Sequence, residues 1–264
     1  MDPLDRIAAA LERLAPPPPP IADPLAYPAY LWRGGALTPA RAWSPQPIGT
    51  LVGIDRQRDA LLDDLRRLAA GHAAHDVLLW GARGSGKSAL VKAAVAAVQA
   101  GGGALALVEV ADWADLPALF TLLAPVRRAF ALFIDDLGFD GPAEARALRS
   151  LLEGGAEPRP ANCRLLVTAN RRHLLPREAV ADASNPRDAL DDQLALADRF
   201  GLSLGFHAAD QDAYLAIVAS YARAHALPFD PADALRWAAA RGARSGRVAW
   251  QYLVDLAGRE GRAV

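Results

Sequence analysis

Apolar and polar positions alternate along this chain in two rhythms. Between Asp55 and Phe206, short continuous apolar runs are separated by stretches whose apolar residues recur every three or four positions. A brief apolar run bounded by turn formers marks a strand buried on both faces, and the wider spacing marks a helix with one buried face. The runs "DVLLW", "ALALVEV", "FALFID", "RLLVTA" and "LSLGF" predict five strands, and residues 55–70, 87–100, 115–128, 142–153 and 188–199 predict helices between them. Strands that alternate with helices pair in parallel and are wrapped on both faces. After Phe206 the strand rhythm stops, and "DQDAYLAIVASYARAHAL", "PADALRWAAAR" and "SGRVAWQYLVDLAG" predict three helices with apolar faces. The predicted fold class is α/β, a three-layer core with a parallel five-stranded sheet, plus a small all-helical lid.

Ahead of the core, Leu4, Ile7, Ala8, Leu11 and Leu14 recur at helical spacing and predict an amphipathic helix over 3–15. The five prolines at 16–20 form a stiff spacer. The stretch from there to Pro47 reads as an irregular arm, ordered by Tyr27, Tyr30, Trp32 and Trp43. The expected organisation is an arm over 1–47, an α/β core over 48–207 and a helical lid over 208–264.

Composition narrows the classes. The 52% hydrophobic content owes much to alanine, and the longest apolar stretch is broken by Pro125 and the Arg127 and Arg128 pair, so no membrane span is expected. Acidic residues stand where a secretory signal carries basic ones, and Cys163 is the single cysteine, so the expected location is the cytoplasm. Formal net charge is −1, with 29 Lys and Arg against 30 Asp and Glu, which gives no global field for nucleic acid. His72, His75, His207 and His225 are too scattered for a metal site, and no zinc is expected.

The strand "DVLLW" runs directly into Gly81, Ala82, Arg83, Gly84, Ser85, Gly86, Lys87 and Ser88, with Ala89 continuing into a helix. This fits G-x-x-x-x-G-K-[ST] in its required setting between strand and helix. Lys87 is one of two lysines in the chain, and it sits in a first helical turn, where peptide dipoles favour anions. A polyphosphate resolves the conflict: the glycines let successive N–H groups point at it, Lys87 pairs with it and the Ser88 hydroxyl ligates Mg²⁺. At the end of the strand "FALFID", Asp135 is placed to hold the metal and Asp136 to polarise an attacking water. Neither lysine follows an asparagine, so the N-K-x-D reader of a guanine base is absent.

Three more polar residues are candidates. Asn170 ends the strand "RLLVTA" and is placed to orient the water; its alternative is a turn residue. Arg199 ends a helix, either as a dipole-matched cap or as an arginine finger acting on a neighbour's nucleotide. Arg247 falls in the first turn of the last helix after the N-cap Ser245, repeating the Lys87 conflict, and is preferred to Arg244 as the lid's contact with phosphate. The basic run from Asn170 to His173 reads as an exposed loop, and Trp237 and Trp250 read as core.

The order of phosphate loop, Asp-Asp strand, strand-ending Asn, arginine before a strand and arginine in a helical lid resembles the AAA+ ATPases over residues 48–257. More narrowly, "LVGIDRQRDALL", "LLWGARGSGKSALVKA", "LFIDDLGF", "RSLLEGG", "TANRRHLLPRE", "LADRFGL" and "GARSGRVAWQ" resemble the bacterial family known as domain of unknown function 815. The resemblance implies ATP with Mg²⁺, a P-loop NTPase sheet of order 5-1-4-3-2, and a homo-oligomer assembled through its nucleotide interfaces. It implies that Val52, Gly53 and Ile54 wrap the adenine, and it names no partner protein. Many relatives carry Glu where this chain has Asp136, which points to slow turnover or to an ATP-dependent binding switch. The Asp-Asp pair also resembles replication initiators and helicase loaders, which is the ground for a DNA-associated role.

Overall fold

The computed structural model describes residues 2–7, 21–138, 148–150, 152, 159–170 and 199–264. Its strands are β1 (Ala29–Arg33), β2 (Ala36–Pro39), β3 (Val77–Gly81), β4 (Leu105–Val110), β5 (Ala129–Ile134), β6 (Cys163–Ala169) and β7 (Leu202–Phe206). Its helices are α1 (Asp55–Ala69), α2 (Lys87–Ala100), α3 (Leu116–Leu123), α4 (Gln211–Ala224), α5 (Pro231–Ala240) and α6 (Gly246–Arg259). The helix expected over 3–15 is helical at 3–7, and its remainder lies outside the described residues. So do most of the helix expected over 142–153, residues 188–198 and the basic run after Asn170. α3 ends at Leu123, short of the expected 128, ahead of Pro125, which supplies no N–H to extend it.

The sheet corrects the expected count of five strands, while the five strands expected for the core, β3 to β7, keep the order 5-1-4-3-2 within it. It has seven, in the order β2-β1-β4-β5-β6-β3-β7. The two additional strands come from the arm that reads as irregular, where β1 pairs in parallel with β4 and antiparallel with β2. Gly34 and Gly35 make this hairpin, with φ of 54° and 74°. A two-residue turn matching strand twist needs positive φ at both positions, which only residues such as glycine adopt cheaply. Arg128 fastens the arm by donating to Pro24 O at 3.0 Å and Tyr27 O at 2.8 Å, and Gln99 Nε2 donates to Pro28 O at 2.8 Å.

Because the pairs from β4 to β7 are all parallel, their C-terminal ends share one edge of the sheet. The central strands β3 to β6 are buried on both faces, which is why they read as continuous apolar runs. Leu78, Val108, Leu132 and Val167 face one core, and Val77, Leu79, Leu107 and Phe133 face the other beneath α1 and α2. The lid has its own core around Tyr214, Val218, Leu253 and Tyr252. β3 lies between β6 and β7, so the loop after β3, the acids after β5 and Asn170 after β6 meet at the edge where open α/β sheets bind ligands.

Candidate nucleotide site

Gly81 begins the loop after β3 in a conformation closed to other residues, with φ of 134°. A Cβ there would stand 1.9 Å from Phe206 O, and the next amide, of Ala82, donates to that same oxygen at 3.0 Å. The loop is thus stitched to β7 and can turn back only because it starts with glycine. It ends at Gly86, the N-cap of α2, which contributes no side-chain cap and leaves the first amides of the helix turned to the cleft. Lys87 is 7% exposed, and its ammonium donates to Gly81 O at 3.0 Å and Ala82 O at 2.9 Å. Burial pulls this lysine below the ordinary range, Asp136 and Asp135 oppose that, and Arg247 and Arg83 add to it. Neutral carbonyls leave this confined cation with less compensation than an anion would give it.

Facing the loop, the acids after β5 are tied into one network by a residue the sequence analysis missed. Thr168 of β6 is buried; its hydroxyl donates to Asp135 Oδ1 at 2.6 Å and accepts from Asp136 N at 2.8 Å. Ser88 Oγ donates to the same Asp135 oxygen at 2.7 Å. Asp136 adopts φ of 55°, in the left-handed region, and the Leu137 amide closes the turn onto Thr168 O at 2.8 Å. Asn170 Nδ2 donates to Asp136 Oδ1. Thr168 reads as an ordinary strand residue; its role follows from the parallel register that sets Ile134 against Val167.

The lid closes the third side. The Arg247 amide donates to Gly84 O at 3.2 Å. A Cβ on Gly84, whose φ is 72°, would stand 2.9 Å from Ser245 Oγ and 3.1 Å from Arg247 Cβ. α6 therefore starts in direct contact with the loop. Between them lies a cleft of about 340 Å³ lined by the loop from Gly84 to Ala89, by Asp135, Asp136, Thr168 and Asn170, and by Tyr221, Arg247 and Trp250 from the lid. Trp250 packs edge-on against Tyr221 at 5.7 Å, so the residue read as core also borders the cleft. A second cleft of about 190 Å³ has apolar walls from Val52, Ile54, Phe206, Ala213 and Ile217, with Gly53, Ala82, Arg83 and Arg244 at its rim. The two clefts share Ser85 and Gly246.

A family model described as a protein of unknown function, DUF815, matches residues 25–260. The chain belongs to the DUF815 family. A comparison of this DUF815 chain with curated proteins finds no match. Among solved structures it is similar to the Holliday junction branch migration motor RuvB of Thermotoga maritima, with a TM-score of 0.52 and 20% identity over 78% of this chain. It is also similar to Aeropyrum pernix ORC2, in ADPNP–ADP complexes, with a TM-score of 0.55 and 16% identity over 84% of this chain and 67% of that one. The ORC1 protein of the same organism, solved in complex with DNA, gives a TM-score of 0.54 and 16% identity over 81% of this chain and 65% of that one. The match spans 62% of the RuvB chain. These likenesses show that this chain shares the fold of RuvB and the ORC proteins.

The structure brings most of the sequence candidates of this DUF815 chain together and separates a few. Lys87, Ser88, Asp135, Asp136, Asn170 and Arg247 line the larger cleft, while Arg244 lines the smaller one. Arg199 is exposed just ahead of β7 and borders neither cleft. Among the described residues no helix is long and apolar enough to cross a membrane, and no cluster of His, Cys, Asp and Glu forms a metal site by itself.

Proposed function

We propose that this DUF815 protein binds ATP with Mg²⁺ across the two clefts and hydrolyses it slowly, coupling nucleotide state to a homo-oligomer that acts on a partner protein. The observation that carries the reading is the convergence of Lys87, Ser88, Asp135, Asp136, Asn170 and Arg247 on one cleft that adjoins an apolar one. Ser88 Oγ and Asp135 present hard oxygen donors 2.7 Å apart, which suits Mg²⁺ in a site completed by phosphate and water. When bound, the metal neutralises charge on the terminal phosphates.

In this reading the adenine lies between Val52, Gly53 and Ile54 and the lid, and the triphosphate extends along Gly81 to Ala89. Lys87 leaves the Gly81 and Ala82 carbonyls for the phosphates, and the amides at the start of α2 supply further donors. Asp136, held by Asn170, polarises a water in line with the terminal phosphorus and takes up its proton. Arg247 reports the phosphate to the lid. Arg199 acts from outside its own cleft, on the nucleotide of a neighbouring copy.

Steady-state ATPase assays on wild type, Lys87→Ala, Asp136→Asn and Arg199→Ala test this. Loss of turnover is expected in all three variants, with ATP binding kept in Asp136→Asn, and turnover indifferent to Lys87→Ala would remove the hydrolytic reading. A second reading, an ATP-dependent switch with little turnover, is favoured by the short Asp136 side chain tethered to Asn170. A partner retained by the ATP form without measurable hydrolysis would select it. A DNA-associated role rests on the structural neighbours, a branch migration motor and a protein solved with DNA; salt-dependent DNA binding is its test.

A further inference from the structure

A residue of the arm lines the cleft, carries a buried acceptor and has no place in the chemistry above. Gln46 lines the larger cleft beside Lys87, Ser88 and Ala89. Its amide oxygen Oε1 is closed off from solvent and has no hydrogen-bond partner among the described residues. Burying a carbonyl-type oxygen unpaired is costly, and native structures rarely do it without reason. The backbone that presents it is stiff. Gln46 stands between Pro45 and Pro47, and Pro47 has φ of −55° and ψ of 133°. A residue that precedes proline is held extended, so the side chain is carried on a nearly fixed strut. The strut is clamped beyond it, where Thr50 N donates to Pro47 O at 2.9 Å and Ser220 Oγ of the lid donates to Thr50 O at 3.0 Å.

We propose that Gln46 accepts a hydrogen bond from a ribose hydroxyl of the bound nucleotide, which makes the arm a sugar-selecting element; this rests on the ATP reading above. The choice follows from which groups of the ligand can donate. Triphosphate oxygens near neutral pH only accept. The amino group of the base belongs to the apolar cleft of Val52 and Ile54, which Gln46 does not line. Two kinds of donor remain: the 2′ and 3′ hydroxyls, and a metal-bound water beside Ser88 and Asp135. The sugar must bridge the two clefts at their shared wall of Ser85 and Gly246. Gln46 lies on the segment that runs six residues on to Val52 in the smaller cleft, so one short stretch of chain lines both clefts.

The test is calorimetric titration of the full chain with ATP, 2′-deoxyATP and 3′-deoxyATP, in Mg²⁺ and in EDTA, for wild type, Gln46→Ala and the near-isosteric Gln46→Met. Wild type is expected to bind at least one deoxynucleotide on the order of tenfold more weakly than ATP, with and without metal. Both variants are expected to bind ATP about as weakly as wild type binds that deoxynucleotide, and to lose the distinction. Ligand-free Gln46→Met should melt at or slightly above wild type, since it removes an unpaired buried acceptor and keeps the side-chain volume. Equal binding of all three nucleotides by wild type would overturn the proposal. So would an equal weakening of all three in the variants, or a preference that vanishes in EDTA, which would assign Gln46 to the metal's water. Wild type that bound no ATP at all would strike down the nucleotide reading itself.

Discussion

Replacing Thr168 with valine would keep the shape of the site and delete the one hydroxyl that joins its two acids. Valine fills the same volume in β6, so the packing of a residue only 1% exposed is preserved and the change is confined to hydrogen bonding. Two bonds go: the donation to Asp135 Oδ1 at 2.6 Å and the acceptance from Asp136 N at 2.8 Å. A bond to a charged group contributes about 1.5–3 kcal/mol net and a neutral one about 0.5–1.5. Asp135 and Asp136 both touch solvent, which can rehydrate part of what is lost, so the lower half of the combined range applies, about 2 kcal/mol. For a chain of this size that corresponds to a fall in Tm of roughly 4–8 °C. Thermal unfolding of wild type, Thr168→Val and Thr168→Ser measures it. Serine keeps the hydroxyl and should recover most of the difference. Turnover should fall further than stability does in the valine variant, because Asp136 N would lose the anchor that holds its left-handed turn. If Thr168→Val melted with wild type and hydrolysed ATP at the wild-type rate, the network as described would be wrong.

Other consequences follow from single contacts. Gly84→Ala forces a Cβ into Ser245 and Arg247 at positive φ, a strain of about 1–2 kcal/mol that the lid can relieve only by leaving the loop. Hydrogen exchange should show the Arg247 amide losing protection, and ATP affinity should fall about tenfold. Lys87 is held below its ordinary value of 10.5, so in the free protein its contribution to stability is full above that value and is lost as pH falls through the lowered one. Phosphate restores the charged form, so ATP binding at alkaline pH should take up protons, seen as a binding enthalpy that varies with buffer ionisation heat; no variation would contradict the assignment of Lys87. Burial raises the Cys163 thiol to about 12 against the pull of Arg164, so alkylation at mildly alkaline pH should be negligible in the native protein and prompt on unfolding. Labelling of the native form at the unfolded rate would show that β6 is not buried as described.

Much of this was legible in sequence because the central strands are buried on both faces and leave unbroken apolar runs. The glycine loop after β3 was legible because Gly81, Gly84 and Gly86 answer backbone demands that few other residues meet. The β1–β2 hairpin was not read, although Arg33-Gly34-Gly35-Ala36 carries a turn signal. Prolines and tryptophans on either side obscured the alternation in "AYLWR" and "ALTP". Thr168, Tyr221 and Gln46 escaped for a different reason. Each acquires its place from tertiary register: the β5–β6 pairing, the seating of α4 and α6, and the proline strut of the arm. The same holds for the split between Arg247 and Arg244, which are three positions apart but line different clefts.

The central claim is that the two clefts hold one Mg·ATP, with Lys87 against its phosphates. Isothermal titration of wild type and Lys87→Ala with ATP and Mg²⁺ addresses it most directly. The account predicts saturable binding at one site per chain in wild type, weakened at least a hundredfold in the variant, as expected when a buried charge-assisted contact is removed. Wild-type protein that released no heat with Mg·ATP and gained no thermal stability from it would contradict the account.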